Sequence, residues 1–299
     1  MGGHVLEECK YEDIIDDPKY FKDLLLEHKL LCFRELNLTK NQHLKIIKAL
    51  GYYKFGQHIE DHRLTIEGNF GERKNTPLEL LVPWHQESLH QKYPPCVAGW
   101  NMELFTCPKD HGRTGFVDMV EAVKGLSAEV VANLENTEYI VVRSFDDIEE
   151  ATEQIKSGSR EISILNKSGQ AERGGLADPS DDRRSDYYFP SIRQAIEKHP
   201  LTDELVIRYE VDWSLSGNGA GTCITFTSAE RRIEVDELVK GLYLNPDNQF
   251  WWEWTQGDFL LADLVVMGHA VTGGFLPTER LLDVTFNTIK RINNQYGPL

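Results

Sequence analysis

The stretch "QFWWEWTQGDFLLADLVVMGHAV", residues 249–271, decides the fold class. Its apolar residues come in short dense runs of Phe, Trp, Leu and Val. The breaks between the runs are Thr-Gln-Gly-Asp and Met-Gly-His, where turn residues appear. The pattern predicts strands. The last of them is an apolar strand that carries Asp263 and ends at His269. The same texture recurs nearby in "ELVIRYEVDWSL" (204–215), "CITFT" (223–227) and "RLLDVTFNTI" (280–289).

Further out the pattern changes. "DPKYFKDLLLEHK" (17–29) has Pro near its start and apolar residues at helical spacing, and "TKNQHLKIIKALG" (39–51) is Thr-capped and Gly-terminated. Both predict helices, with a short strand in "LLCFREL" (30–36) between them. Residues 80–106 hold strand-like pieces around Pro94 and Pro95, and "GFVDMVEAVKGLSAEVVANLEN" (115–136) reads as two short helices broken near Gly125-Leu126-Ser127. Residues 156–200 are rich in Gly, Ser, Asp and Arg with little periodicity, which predicts a long loop or lid. Helices come early and strands late, with no alternation of the two and no internal repeat. That is an α+β chain built on an antiparallel sheet or barrel.

Bulk properties narrow the function. A chain of 299 residues with 40% apolar content can bury a sizeable core, and residues 1–299 are read as a single domain. The net charge of −16 argues against nucleic acid, whose phosphates need a basic face. No apolar run reaches the ~18 residues of a membrane span, and the first fifteen residues lack the basic and apolar regions of a signal peptide. Five widely spaced cysteines, with no C-x-x-C, predict reduced thiols and a cytoplasmic protein. The expected partner is a small molecule, with no membrane; a homo-oligomer is compatible with all of this.

The chemistry begins in "LVPWHQESLH" (81–90). His85 and Glu87 are two apart, so on a strand they point the same way. That is either two thirds of a metal site or the wet face of an ordinary strand. A third ligand is on offer at His269, which by itself could equally be a satisfied core histidine. Arg280 opens an apolar strand, and its guanidinium suits a carboxylate gripped by two parallel bonds. Its plain alternative is an ion pair with a nearby Glu.

Together these pieces resemble the taurine dioxygenase/TfdA family of Fe(II)/2-oxoglutarate oxygenases over most of the chain. "WHQES" is similar to the family's W-H-x-D/E segment, and "YPPCVAGWNMEL" (93–104) to the strand after it. "GRTGFVDMVEAVKGLS" (112–127), "KHPLTDELVIRYE" (198–210), the 249–269 stretch and "RLLDVT" (280–285) follow in the family's order and spacing. Two positions depart: Leu264 replaces the usual Asn, and Val284 replaces the second Arg of the last segment.

The resemblance implies a double-stranded β-helix, or jelly roll, with flanking helices. It implies Fe(II) held by His85, Glu87 and His269, and 2-oxoglutarate held by Arg280 and Thr114. O2 then oxidises an unactivated C–H bond with release of succinate and CO2. Glu87 is the longer H-x-E variant, similar to clavaminate synthase-like members that act on free amino acids and natural-product precursors. Any carboxylate there counts against halogenation. Val284, together with Leu81 in place of a polar pocket residue, counts against taurine. By family position the substrate contacts are Glu67, Asn69, Asn101, Arg183, Arg184 and Tyr187; surface charge and packing are the plain alternatives. The aromatics of 249–254 are read as a strand burying alternate rings rather than as a cage. The outcome could be hydroxylation, desaturation or cyclisation. The competing readings are a zinc hydrolase on the same triad and a non-catalytic iron or 2-oxoglutarate sensor.

Overall fold

The computed structural model describes residues 3–51, 80–87, 89, 94–142, 145–165, 187–188, 190, 192–211, 222–225, 229–276, 278–287, 291–292 and 295–296. The chain begins with β1 (His4–Leu6), α1 (Tyr11–Asp16), α2 (Pro18–His28), β2 (Leu30–Phe33) and α3 (Lys40–Ala49). The proline at the start of α2 and the Thr39 cap of α3 are those the sequence promised. Asp17 accepts the Tyr20 N–H at 3.1 Å, ahead of Pro18 in the first turn. Thr39 and Gln42 exchange side-chain and backbone bonds in a capping box.

The middle of the chain supplies β3 (Leu80–His85), β4 (Val97–Phe105), β5 (Thr114–Asp118), α4 (Met119–Lys124), α5 (Ala128–Glu135), β6 (Glu138–Val142) and α6 (Phe145–Lys156). Then come β7 (Ile164–Leu165), β8 (Tyr187–Tyr188), β9 (Ile192–Gln194), β10 (Ile196–Lys198), β11 (Leu205–Ile207), β12 (Thr222–Thr225) and α7 (Ala229–Leu244). The chain continues through β13 (Gln249–Trp252), β14 (Phe259–Asp263), β15 (Met267–Thr272) and β16 (Arg280–Asn287).

Four expectations are corrected. The "GFVD" opening of the predicted helical pair is strand β5; Asp118 ends it and caps α4 by accepting the Val120 and Glu121 N–H groups. The long strand expected to end at His269 is two strands. Asp263 accepts the Val265 N–H at 3.0 Å and turns the chain, so His269 sits inside β15. Helix α7 was not anticipated, because its charged residues give no clear apolar stripe. The described ends of 156–200 carry strands β7 to β10 rather than loop, because Ile162 and Ile164 pack against Ile140, Val142 and Ala151. Residues 166–186 lie outside the described set.

Two sheets matter for function. One has the order β1-β2-β14-β4-β16, antiparallel except for the β1/β2 pair, and the other has the order β13-β5-β15-β3. The period-2 alternation of each strand sorts its residues into layers. Leu30, Cys32, Ala98, Trp100, Met102, Phe116, Leu260, Ala262, Leu282 and Val284 form one cluster with residues from both sheets. Their neighbours Leu31, Phe33, Val97, Phe259 and Leu261 face outward onto α1, α2 and α3. On the far side of the second sheet, Trp84, Val117 and Ala270 pack against α4, α7 and the β10/β11 hairpin. This is a mixed α/β fold with antiparallel sheets covered by helices.

One polar contact locks the helical layer to the first sheet. His43 of α3 is 0% exposed. Its Nδ1 lies 3.3 Å from Asp283 Oδ2 and its Nε2 lies 3.0 Å from Thr285 Oγ1. Asp283 and Thr285 are two apart on β16 and so share the outward face. Gly99 on β4 makes the space, since a Cβ there would fall 2.7 Å from His43 Nε2. Replacing His43 by Ala leaves Asp283 without this partner and opens a cavity. The expected cost is about 2–4 kcal/mol, read as a lower urea midpoint with an unchanged slope. An unchanged midpoint would mean that the contact contributes nothing to stability.

Candidate metal centre

Strands β3 and β15 pair antiparallel with His85 directly opposite His269. Residues so placed have neighbouring side chains on one face, and here both imidazoles point between the sheets. Their ring centroids are 4.2 Å apart, and Trp100 lies 5.5 Å from His269. Glu87 follows two residues after His85. Its Oε2 is 3.8 Å from His85 Nε2 and 3.7 Å from His269 Nε2. The three donor atoms all lie within 4.8 Å of one another, the one such group of metal-ligand type among the described residues.

The tautomer of His85 follows from its neighbour. Nδ1 faces the Pro83 carbonyl at 2.9 Å, and a carbonyl only accepts, so Nδ1 carries the proton and the Nε2 lone pair faces the cluster. The surrounding charges favour positive charge beside the carboxylate. Burial works against a charged His85, but Glu87, Glu210 and the Pro83 carbonyl outweigh it and raise the imidazole to about 9. Burial and repulsion from His85 push His269 down to about 3, against the pull of Glu87. The carboxylate thus favours a cation beside the two rings. A divalent cation fits that space: it bonds such donors at about 2.0–2.2 Å, which needs only a small contraction of the separations seen. Two imidazole nitrogens and one carboxylate oxygen, with no fourth candidate among the described residues, are donors of the types found in a three-ligand facial metal site.

The ligands are held from outside. Trp84 is buried, stacked on Tyr243 and edge-on to Trp251. Gly268, just before His269, gives the Tyr243 ring its place; a Cβ there would lie 2.5 Å from it. Gln86, between His85 and Glu87, is 1% exposed. Its Nε2 donates to Ile207 O at 2.8 Å and its Oε1 accepts the Tyr209 N–H at 3.1 Å. His199 holds the turn before β15: its Nδ1 accepts from Leu201 and Thr202 N–H groups, so its Nε2 donates to Asp263 at 2.9 Å. Gln86, Trp100, His199 and Glu210 were not singled out in the sequence. Glu210 is buried, interacts with His85 and Glu87, and is pushed up to about 7 by burial first, with His85 opposing.

A second group lies beside the triad. Arg280 is 2% exposed, and no carboxylate of a described residue pairs with it. Its Nε donates to Gly112 O at 3.2 Å and its Nη2 to Thr114 Oγ1 at 3.4 Å. Gly112 is required: its φ is +65°, and a Cβ would crowd Cys107, Phe275 and Arg280 itself. Burial lowers Arg280 to about 10, with Cys107 opposing.

The other predicted contacts fare differently. Asn101 faces away, since its neighbour Trp100 points inward; its Nδ2 donates to Leu38 O on the helical side at 3.2 Å, which corrects the substrate reading. Glu67, Asn69, Arg183 and Arg184 lie outside the described residues. Tyr187 belongs to β8, paired with Leu165, and only its backbone is described. In 249–254 the alternate rings Trp252 and Trp254 are buried, as a strand burying one face requires.

Three comparisons bear on this arrangement. The model of the taurine catabolism dioxygenase TauD, TfdA family matches residues 7–285. The solved structure of AAD-2 in complex with Mn(II) and N-oxalylglycine superposes with a TM-score of 0.60 at 14% identity, over 95% of this chain and 93% of that one. A taurine dioxygenase from Burkholderia xenovorans superposes with a TM-score of 0.61 at 14% identity, over 96% and 86%. At such identities the likeness is one of fold. No curated protein matches the chain.

Titration with Mn(II) separates the roles. His269→Ala is expected to abolish binding. Gln86→Ala should weaken it about tenfold by loosening the ligands it supports, and Asn101→Ala should leave it intact. Wild-type affinity in His269→Ala would remove the metal assignment.

Proposed function

The chain belongs to the TauD/TfdA family of dioxygenases, and on that premise we propose that His85, Glu87 and His269 hold its iron while Arg280 and Thr114 hold its co-substrate. The enzyme is an Fe(II)- and 2-oxoglutarate-dependent oxidoreductase that consumes O2. We further propose a double-stranded β-helix core in a single domain, and a small amino acid or amino-acid-derived molecule as the substrate.

The observation that carries this reading is the Arg280 guanidinium, buried without an acid partner among the described residues. Such a group calls for an anion. Strand register sets its distance from the triad. On β5, Phe116 pairs with His269 and Thr114 with Val271, two residues or about 7 Å along the strand. That spacing suits a five-carbon dicarboxylate with its keto-acid end at the metal and its far carboxylate at Arg280. Bound together, Fe(II), 2-oxoglutarate and O2 supply the oxidation of a C–H bond, with succinate and CO2 released.

The residues of the chain do the rest. Arg280 neutralises the far carboxylate in a dry pocket, where a charge-assisted bond is strong. Trp100, Met102, Phe116 and Leu282 exclude water from the space between the sheets. Glu87 fills the coordination position that a halide would need, which favours oxygen chemistry over halogenation. The H-x-E pattern of His85 and Glu87 supports an amino-acid-like substrate. Family membership removes the zinc-hydrolase alternative.

Adding Fe(II) and 2-oxoglutarate anaerobically is expected to give a weak visible charge-transfer band, lost in His85→Ala. Arg280→Ala should raise the 2-oxoglutarate requirement tenfold or more and leave iron affinity nearly intact. A wild type without the band, or equal loss of both affinities in Arg280→Ala, would overturn the reading. A metabolite screen for substrate-stimulated succinate release then finds the substrate. Product mass gives the outcome: one oxygen gained means hydroxylation or epoxidation, two hydrogens lost means desaturation or ring closure.

A further inference from the structure

We infer that Trp254 is a positioning residue of the co-substrate pocket, whose indole N–H occupies an acceptor side of the Thr114 hydroxyl and leaves that hydroxyl's one hydrogen to the bound carboxylate. The inference rests on the reading of Arg280 and Thr114 as the holders of the 2-oxoglutarate far carboxylate.

The argument is a count of donors and acceptors. A threonine hydroxyl accepts twice and donates once, whereas an indole N–H and a guanidinium only donate. Trp254 Nε1 lies 2.9 Å from Thr114 Oγ1, and Arg280 Nη2 lies 3.4 Å from the same oxygen. Both acceptor sides are thus taken. The hydroxyl hydrogen must go elsewhere, and no described residue accepts it. A buried donor left over in this way needs an acceptor from beyond the described residues, and a bound anion supplies one. It stands beside the buried guanidinium that also needs one, so the two demands meet in a single anionic group.

Trp254 is built for this part. It is 4% exposed, follows directly from the edge strand β13, and sits edge-on to Trp252 with centroids 6.5 Å apart. Its ring plane, and with it the N–H direction, is therefore fixed. The contrast with Trp252 is informative. That indole nitrogen is equally buried yet has no hydrogen-bond partner among the described residues. Two tryptophans on one alternation thus differ in role: one fills the core, and the other also sets the polarity of a hydroxyl. Arg280 cannot do this alone, because its Nε is committed to Gly112 and its approach to Thr114 is the longer of the two. Without the indole, one acceptor side of the hydroxyl is empty, and the hydrogen is no longer confined to the carboxylate.

Calorimetric titration of the Mn(II)-loaded protein tests the inference with no turnover involved. The ligands are 2-oxoglutarate and 2-oxobutyrate, which keeps the keto-acid end and lacks the far carboxylate. In Trp254→Phe the affinity for 2-oxoglutarate is expected to fall about fivefold, the worth of one hydrogen bond. Affinity for 2-oxobutyrate and for Mn(II) should stay within about twofold, and the unchanged Mn(II) affinity reports an intact fold. In a Thr114→Val background the same substitution should have no further effect; in Thr114→Ser it should still cost about fivefold. Equal weakening of both keto acids, or a full additional loss in Thr114→Val, would make Trp254 merely structural and overturn the inference. A wild type that binds 2-oxoglutarate no better than 2-oxobutyrate would overturn the carboxylate reading beneath it, a result distinct from either.

Discussion

The pairing of β3 with β15 is the constraint on which the rest of the molecule depends. It sets two histidines 184 positions apart in sequence on directly opposite residues, with both rings aimed between the sheets. An antiparallel ladder has a side-chain period of two, so a slip of one residue would turn one of the rings out of the site. The structure guards the register from several sides. Trp84 and Ala270 face the outer cluster, Gln86 is bonded to the backbone at Ile207 and Tyr209, and Asp263 and His199 fix the turn from which β15 departs. None of these groups touches the space between the ligand atoms. They hold the strands, and the strands hold the ligands.

The second constraint is charge without water. Arg208 and Arg280 are both buried, yet they solve the problem differently. Arg208 Nη1 donates to the Leu264 and Val265 carbonyls and so ties down the β14/β15 turn. Arg280 gives up only its Nε to Gly112 and a long bond to Thr114. The first guanidinium is tied to main-chain carbonyls; the second has no carboxylate partner among the described residues. Two strand residues separate it from the level of the triad, and the side chains packed between the sheets are apolar.

Much of this could be read in the sequence. The proline opening α2, the Thr39 cap of α3, the strands of the later half and the order of the motifs are local features, and local features survive translation into structure. Where the reading went astray, a tertiary contact had overridden local pattern. Residues 115–118 look as helical as those after them, but β5 forms because β13 and β15 flank it. The 156–200 region looks like loop, but Ile162 and Ile164 find partners in β6 and α6. Asn101 fell on the wrong side because position in a motif does not fix which face of a strand a residue takes; its neighbours in the sheet do.

By itself, then, the sequence determined the chemistry that is available: two histidines and a glutamate of ligand type, an arginine opening an apolar strand, and the family to which their spacing belongs. Spacing could not say that His85 stands opposite His269, that Gln86 and His199 carry the supports, or that the Trp254 indole spends its hydrogen on Thr114. Those facts belong to the tertiary structure. Cross-strand register and hydrogen-bond direction arise between segments far apart in the chain, and each exists only when the packed partner is in place.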